Sequence, residues 1–138
     1  MLVCRRTLLG SLCICNTLEV LYLHLPDCSL KNSEVADLCY ILQAPRLHTF
    51  YLWLTNNYIS DIGAQNLFHR IDAAAHLDHV YVDISRNYVG LYGLLMAQEY
   101  RNRHTQAEVV YLPRPGIPLT QGGSPVFKRR WSYSPPMQ

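Results

Sequence analysis

A motif recurring at near-constant spacing constrains this chain more than any other feature. LEVLYLHLPDCSL (18–30), LHTFYLWLTNNYI (47–59) and LDHVYVDISRNYV (77–89) superimpose, their starts 29 and then 30 residues apart. Apolar residues alternate in each, at Leu21/Leu23/Leu25, Phe50/Leu52/Leu54 and Val80/Val82/Ile84. Three residues beyond stands Cys28, Asn57 or Asn87, and two further on Leu30, Ile59 or Val89. Strict alternation is the period of a strand with one buried face. Helical spacing follows, with Val35, Leu38 and Leu42, then Ala64, Leu67 and Ile71, then Gly93, Leu94, Ala97 and Tyr100. A strand–loop–helix unit of fixed length buries its apolar face only against stacked neighbours.

Local signals agree with this division. Asp61 or Ser60 is placed to cap the second helix, Gly63 to allow a close helix–sheet approach, and Pro45 to end the first helix. A fourth strand is expected where Ala107, Val110 and Leu112 follow Leu77, Val80 and Val82 by 30 residues, which sets Tyr111 beside Tyr81. Upstream, Leu9 and Cys13 fall one unit before Leu38 and Leu42, so residues 1–17 read as the end of a preceding helix. The apolar run 8–15 after Arg5-Arg6 has the look of a signal-peptide core, but no small-x-small cleavage site follows it. Nor does any run reach the roughly 18 apolar residues of a membrane-spanning helix.

The pattern Leu47-x-x-Phe50-x-Leu52, Asn57-x-Ile59, Gly63-Ala64 and Leu67 resembles the ribonuclease-inhibitor-like class of leucine-rich repeat proteins. Weaker copies flank it, and the resemblance covers roughly residues 8–112. One difference stands out: each unit carries an extra pair of residues before the Asn/Cys position, Trp53-Leu54 in the second. The resemblance implies an α/β fold, a short solenoid of about three to four repeats with a parallel concave sheet and convex helices. It further implies a structural role for Cys28, Asn57 and Asn87, pairing backbone groups where the chain turns out of each strand.

Strand parity then nominates an outward face. With Leu21, Leu23 and Leu25 inward, Tyr22 and His24 point outward, followed by Tyr51 and Trp53, Tyr81 and Asp83, and Tyr111. Four tyrosines at one position of the unit make a ladder, with Glu19, His48 and Asp78 in the column at the strand starts. Stacked rings reinforce sheets without any partner, yet a contiguous aromatic strip facing solvent also marks contact surfaces. These seven side chains are therefore the candidate protein-binding residues.

Charge separates the body from the tail. Residues 18–112 hold six Lys/Arg against ten Asp/Glu, a net of −4, whereas residues 113–138 carry Arg114, Lys128, Arg129 and Arg130 with no acid, a net of +4. Six prolines and three glycines in that tail resist regular structure. The acidic body disfavours nucleic acid on the sheet. Phe127, Lys128, Arg129, Arg130, Trp131 and Tyr133 instead have a composition suited to RNA, an anionic surface or an acidic groove. Residues 112–118 also offer a short proline-rich segment of the kind aromatic grooves bind.

Chemistry of other kinds finds little support. No nucleotide-binding loop, HExxH or GxSxG motif is present. His76, Asp78, His79 and Asp83 form the densest set of metal-ligand types, but parity splits them between faces. Five cysteines without framework spacing indicate reduced thiols and an intracellular, cytoplasmic-type setting, with Cys4, Cys13 and Cys15 read as small buried hydrophobes. The expectation is a protein-interaction or assembly module without cofactor, metal or catalytic residues. The alternative is an RNA-associated subunit that contacts nucleic acid through Lys128, Arg129, Arg130 and Trp131.

Overall fold

The computed structural model describes residues 16–112 and Arg114. The expected helix end over 1–17 lies outside the described residues except for Asn16 and Thr17, which form a turn. The tail 113–138 lies outside them except for Arg114.

Strands and helices alternate along the chain. The order is β1 (Val20–His24), α1 (Asn32–Leu38) running into a 3₁₀ segment (Cys39–Gln43), β2 (Thr49–Trp53), α2 (Asp61–Ala73), β3 (His79–Asp83), α3 (Leu91–Arg103) and β4 (Ala107–Val110). The four strands form one open sheet in sequential order, every pair parallel. Right-handed crossovers between sequential parallel neighbours set every helix on the same side of such a sheet. Between sheet and helices lies the core: Phe50, Leu52, Val80, Val82 and Val109 pack with Val35, Leu38, Leu67, Ile71, Leu94 and Ala97. Leu21, Leu23 and Leu25 extend this core only half-buried, at the β1 edge.

Register follows the sequence pattern for three strands and departs from it at the fourth. Leu21 pairs with Phe50 and Phe50 with Val80, the expected 29- and 30-residue offsets. Val80, however, pairs with Ala107 and Val82 with Val109. Helices α2 and α3 each span 13 residues and begin 30 apart, so the shortening falls after α3. Only residues 104–106 connect α3 to β4, against 74–78 between α2 and β3. A three-residue deletion is odd, so it turns every β4 side chain to the opposite face. Tyr111 points into the core and is 2% exposed, its hydroxyl donating to the Val89 carbonyl at 3.2 Å. Val110 and Leu112, expected inward, lie outside the core cluster, and Leu112 is exposed.

Asparagine side chains tie the turns of successive units together. Asn57 Oδ1 accepts from the Cys28 and Leu30 N–H groups at 2.9 and 3.0 Å, and its Nδ2 donates to the Leu25 and Leu54 carbonyls, both at 2.9 Å. Asn87 repeats this one unit on, accepting from Asn57 and Ile59 and donating to Leu54, Ile84 and Ser85. The cysteine position differs. Cys28 is exposed, and its thiol donates only to the Pro26 carbonyl, at 3.1 Å, because a sulfhydryl has one weak donor where an amide has two.

Helix starts are also secured between units rather than within them. Ser60 makes no side-chain cap on its own helix. Its N–H donates to Asn32 Oδ1 and its Oγ accepts from Asn32 Nδ2, so the start of α1 holds the start of α2. Asp61 reaches forward in the same way, accepting from the Gly90 and Gly93 N–H groups at 2.6 and 3.0 Å. Expected as a local cap, it therefore caps the next helix. Gly63 and Gly93 make room for this: a Cβ on Gly63 would run into the Asn32 amide, and one on Gly93 would lie 2.8 Å from Asp61 Oδ1. The close approach is thus both to the neighbouring unit's polar side chain and to the apolar residue just before the helix, Ile59 for Gly63 and Val89 for Gly93.

Candidate functional site

Register sets the side-chain columns on the sheet face away from the helices. One runs Val20, Thr49, His79, the next Tyr22, Tyr51, Tyr81, Glu108, and the next His24, Trp53, Asp83, Val110. Side chains alternate across a strand, so residues outside the core columns all stand on this open face. Tyr22, His24, Tyr51, Trp53, Tyr81 and Asp83 come together as the parity argument expects. Tyr111 does not join them, because the β4 register turns it inward. Glu108 and Val110 take the places that the 30-residue spacing assigns elsewhere. Alternation of Ala107, Val109 and Tyr111 was the signal for them in the sequence.

The rings form a continuous cluster. Tyr22 and Tyr51 lie 4.8 Å apart between centroids, and Tyr51 stacks on Tyr81 at 5.5 Å. Trp53 bridges the columns, 5.2 Å from Tyr81, 5.8 Å from Tyr51 and edge-on to both His24 and Tyr22. Such offset and edge-to-face contacts each add about 0.5–1.5 kcal/mol beyond area burial. Spacings this short leave no slot between rings, so a ligand meets the cluster from above.

Exposure is graded across the face. Tyr22 on β1 is 60% exposed, whereas Tyr81 on β3 is 2% and Val110 on β4 is 6% exposed. Burial raises the Tyr51 hydroxyl's pKa, with the neighbouring Tyr22 and Glu108 acting in the same direction. The phenol therefore remains a neutral donor at physiological pH, suited to hydrogen bonding rather than to accepting a proton. At the strand starts, Glu19 lies 3.5 Å from His48 and 3.6 Å from Arg46.

A second stack escaped the sequence reading. Tyr58 and Tyr88, each just after a turn asparagine, stack at 6.0 Å with planes 9° apart. The Arg114 guanidinium lies 4.5 Å from the Tyr88 ring centroid and donates to Asn56 Oδ1 and the Asn57 carbonyl at 2.9 and 3.1 Å. The recurring Asn-Tyr pair was its sequence signal. Lys128, Arg129, Arg130 and Trp131 lie outside the described residues.

A cleft of 230 Å³ is lined by Cys39, Leu42, Arg70 and His76. Burial pushes the Cys39 thiol up to about 11, so it stays protonated at neutral pH. Asp83, one of the metal-ligand types, accepts from the Ser85 N–H at 2.9 Å. Among the described residues no group of three or more His, Cys, Asp or Glu side chains is placed to hold a metal ion. Also among them, no helix is long and apolar enough to cross a membrane.

The shortened α3–β4 connection has its own polar clasp. Asp72 on α2 pairs with His104 Nε2 at 2.7 Å and with Arg103 at 2.8 Å. The hydrogen bond from His104 is the largest cause holding the Asp72 carboxyl below its usual range, with Arg103 adding to it. A depressed carboxylate pKa stabilises the fold above the unfolded value, about 4, and that contribution disappears as pH falls through the folded value. Solvent reaches this pair, so Asp72→Asn is expected to cost only about 0.5 kcal/mol at pH 6. Urea unfolding repeated at a pH below the folded value should find the two proteins nearly equal, and a gap that persists there would assign the effect to shape rather than charge.

No protein-family model matches the chain, and no curated protein matches it significantly.

Proposed function

We propose that the chain is a short leucine-rich repeat solenoid, of about three to four units in the ribonuclease-inhibitor-like manner, and acts as a protein-interaction or assembly module. What supports the repeat reading is the pairing of equivalent residues at 29- and 30-residue offsets, together with the buried asparagines Asn57 and Asn87 at two successive turns. The partner sits on the open face, over Tyr22, His24, Tyr51 and Trp53. One observation carries this: a connected aromatic cluster on the sheet face away from the core, with Tyr22 largely exposed at its rim. Tryptophan and tyrosine in such settings supply most of the binding energy at protein interfaces. Tyr81 supports these rings from the adjacent strand, and Asp83 gives the face an acidic margin that favours a partner with basic groups.

Affinity capture from native extract, with nuclease-treated samples in parallel, tests this reading. The full chain is compared with Tyr51→Ala/Trp53→Ala, folding of each being verified by circular dichroism. A partner recovered by the wild type should bind the folded double variant at least about thirtyfold more weakly on titration, as for other aromatic hot spots. Unchanged affinity would make the rings sheet reinforcement. Partners lost only after nuclease treatment would favour the RNA-associated alternative, carried by the basic tail.

A further inference from the structure

The clasp at the C-terminal ends of α2 and α3, where Arg103 and His104 hold Asp72, is not repeated one unit earlier. Helices α1 and α2 begin 29 residues apart, and α2 and α3 begin 30 apart. The places of Asp72, Arg103 and His104 therefore fall, between α1 and α2, to Gln43, Ala73 and Ala74. A neutral amide stands for the carboxylate, and two methyl groups stand for the basic side chains. These three residues line the 230 Å³ cleft, with Leu42 and the Cys39 thiol.

Two basic residues line it as well. Arg70 has no ion pair among the described residues. Its charge acts on the Cys39 thiol, partly opposing the effect of burial. His76 is half-buried on the cleft wall, and its Nε2 is buried without a hydrogen-bond partner. An atom left in that state costs stability that a bound acceptor restores.

We propose that this cleft binds a small aliphatic monocarboxylate, its head group between Arg70 and His76 and its chain against Leu42, Cys39 and Ala73. Arginine suits the head group because its planar fork matches two carboxylate oxygens. Imidazole donates from Nε2 once a rotation about χ2, a soft torsion in histidine, turns that nitrogen to the ligand. A metal cation would instead meet the unneutralised charge of Arg70. Helix C-terminal ends disfavour an anion, but the next junction shows that one arginine and one histidine outweigh this. There the Asp72 carboxyl is held below its usual range, by the His104 hydrogen bond first and by Arg103 in addition. Volume sets the size of the ligand: 230 Å³ is room for about eight heavy atoms at roughly 30 Å³ each, the share of a water molecule in the liquid. The site lies among the helices and is independent of the proposed partner face.

Titration of the isotope-labelled full chain with hexanoate, a probe of that size, tests the site by NMR. Hexan-1-ol, with the same chain and no charge, is the control. The Arg70 Nε–H and His76 ring signals should shift saturably, with a dissociation constant of about 1 mM. Hexanol should bind about tenfold more weakly, for want of the charge-assisted bonds. Arg70→Gln, at an exposed position, should weaken hexanoate by about the same factor. Gln43→Glu gives the chain its own carboxylate at the place Asp72 takes in the next junction, and should weaken hexanoate similarly by engaging Arg70 and His76. Both variants should keep the wild-type affinity for hexanol, which a deformed cleft would not. No saturable shift with hexanoate, equal affinity for hexanol, or undiminished hexanoate binding by Arg70→Gln would each overturn the proposal.

Discussion

Asn87→Ala should destabilise the protein by about 3–4 kcal/mol, most of it from backbone groups left without partners. The amide is buried and serves five groups: it accepts from the Asn57 and Ile59 N–H groups and donates to the Leu54, Ile84 and Ser85 carbonyls. Alanine strands two buried donors at about 1–3 kcal/mol each, while the carbonyls, with two lone pairs apiece, lose less. Against a total stability of about 5–15 kcal/mol, one side chain is then decisive. Asn87→Asp is not a remedy, since it keeps the acceptor but brings a buried charge toward three carbonyls. Cys28→Ser is the informative contrast. The exposed Cys28 thiol bonds only to Pro26, and its loss should change stability by less than about 0.5 kcal/mol. Urea unfolding followed by circular dichroism measures all three. A cost under about 1 kcal/mol for Asn87→Ala would mean that water enters and replaces the amide.

Local periodicity made most of the sheet legible. Phe50, Leu52 and Leu54 recur as Val80, Val82 and Ile84 because a strand's inward positions must be apolar, and a common spacing aligns them. The turn asparagines were legible for a related reason, since a chain leaving a strand has N–H and C=O groups that face inward. Contacts reaching across units were not legible. Asp61 and Ser60 look like local caps in one dimension, and only the adjacent helix start shows that Asp61 serves Gly90 and Gly93. Cys28 shares a position with Asn57 but not its chemistry, which composition at that position conceals. At the candidate site, six of the seven nominated residues share the open face. The exception follows from a loop length that periodic counting does not see.

That exception yields a sharp test of the β4 register. Under a 30-residue spacing Leu112 would be core and Tyr111 solvent-facing, whereas the observed pairing of Val82 with Val109 reverses the two. Tyr111→Ala is therefore expected to cost about 3–5 kcal/mol, the usual penalty for truncating a buried aromatic residue. Leu112→Ala should be within about 0.5 kcal/mol of wild type, as at other exposed positions. Tyr111→Phe isolates the hydroxyl: its bond to the Val89 carbonyl is 3.2 Å long, and losing it should cost about 1 kcal/mol or less. The reverse order of the two alanine variants in urea unfolding would restore the longer spacing. Alkaline titration reads the same burial through ionisation. Desolvation raises the Tyr111 hydroxyl's pKa, with Asp61 adding to it, so the folded state holds this proton more tightly than the unfolded chain does. Stability from that difference is complete below the unfolded value of about 10 and is lost as pH rises through the folded value. Tyr111→Phe, having no proton to lose there, should show a shallower alkaline decline, which an exposed Tyr111 would not produce.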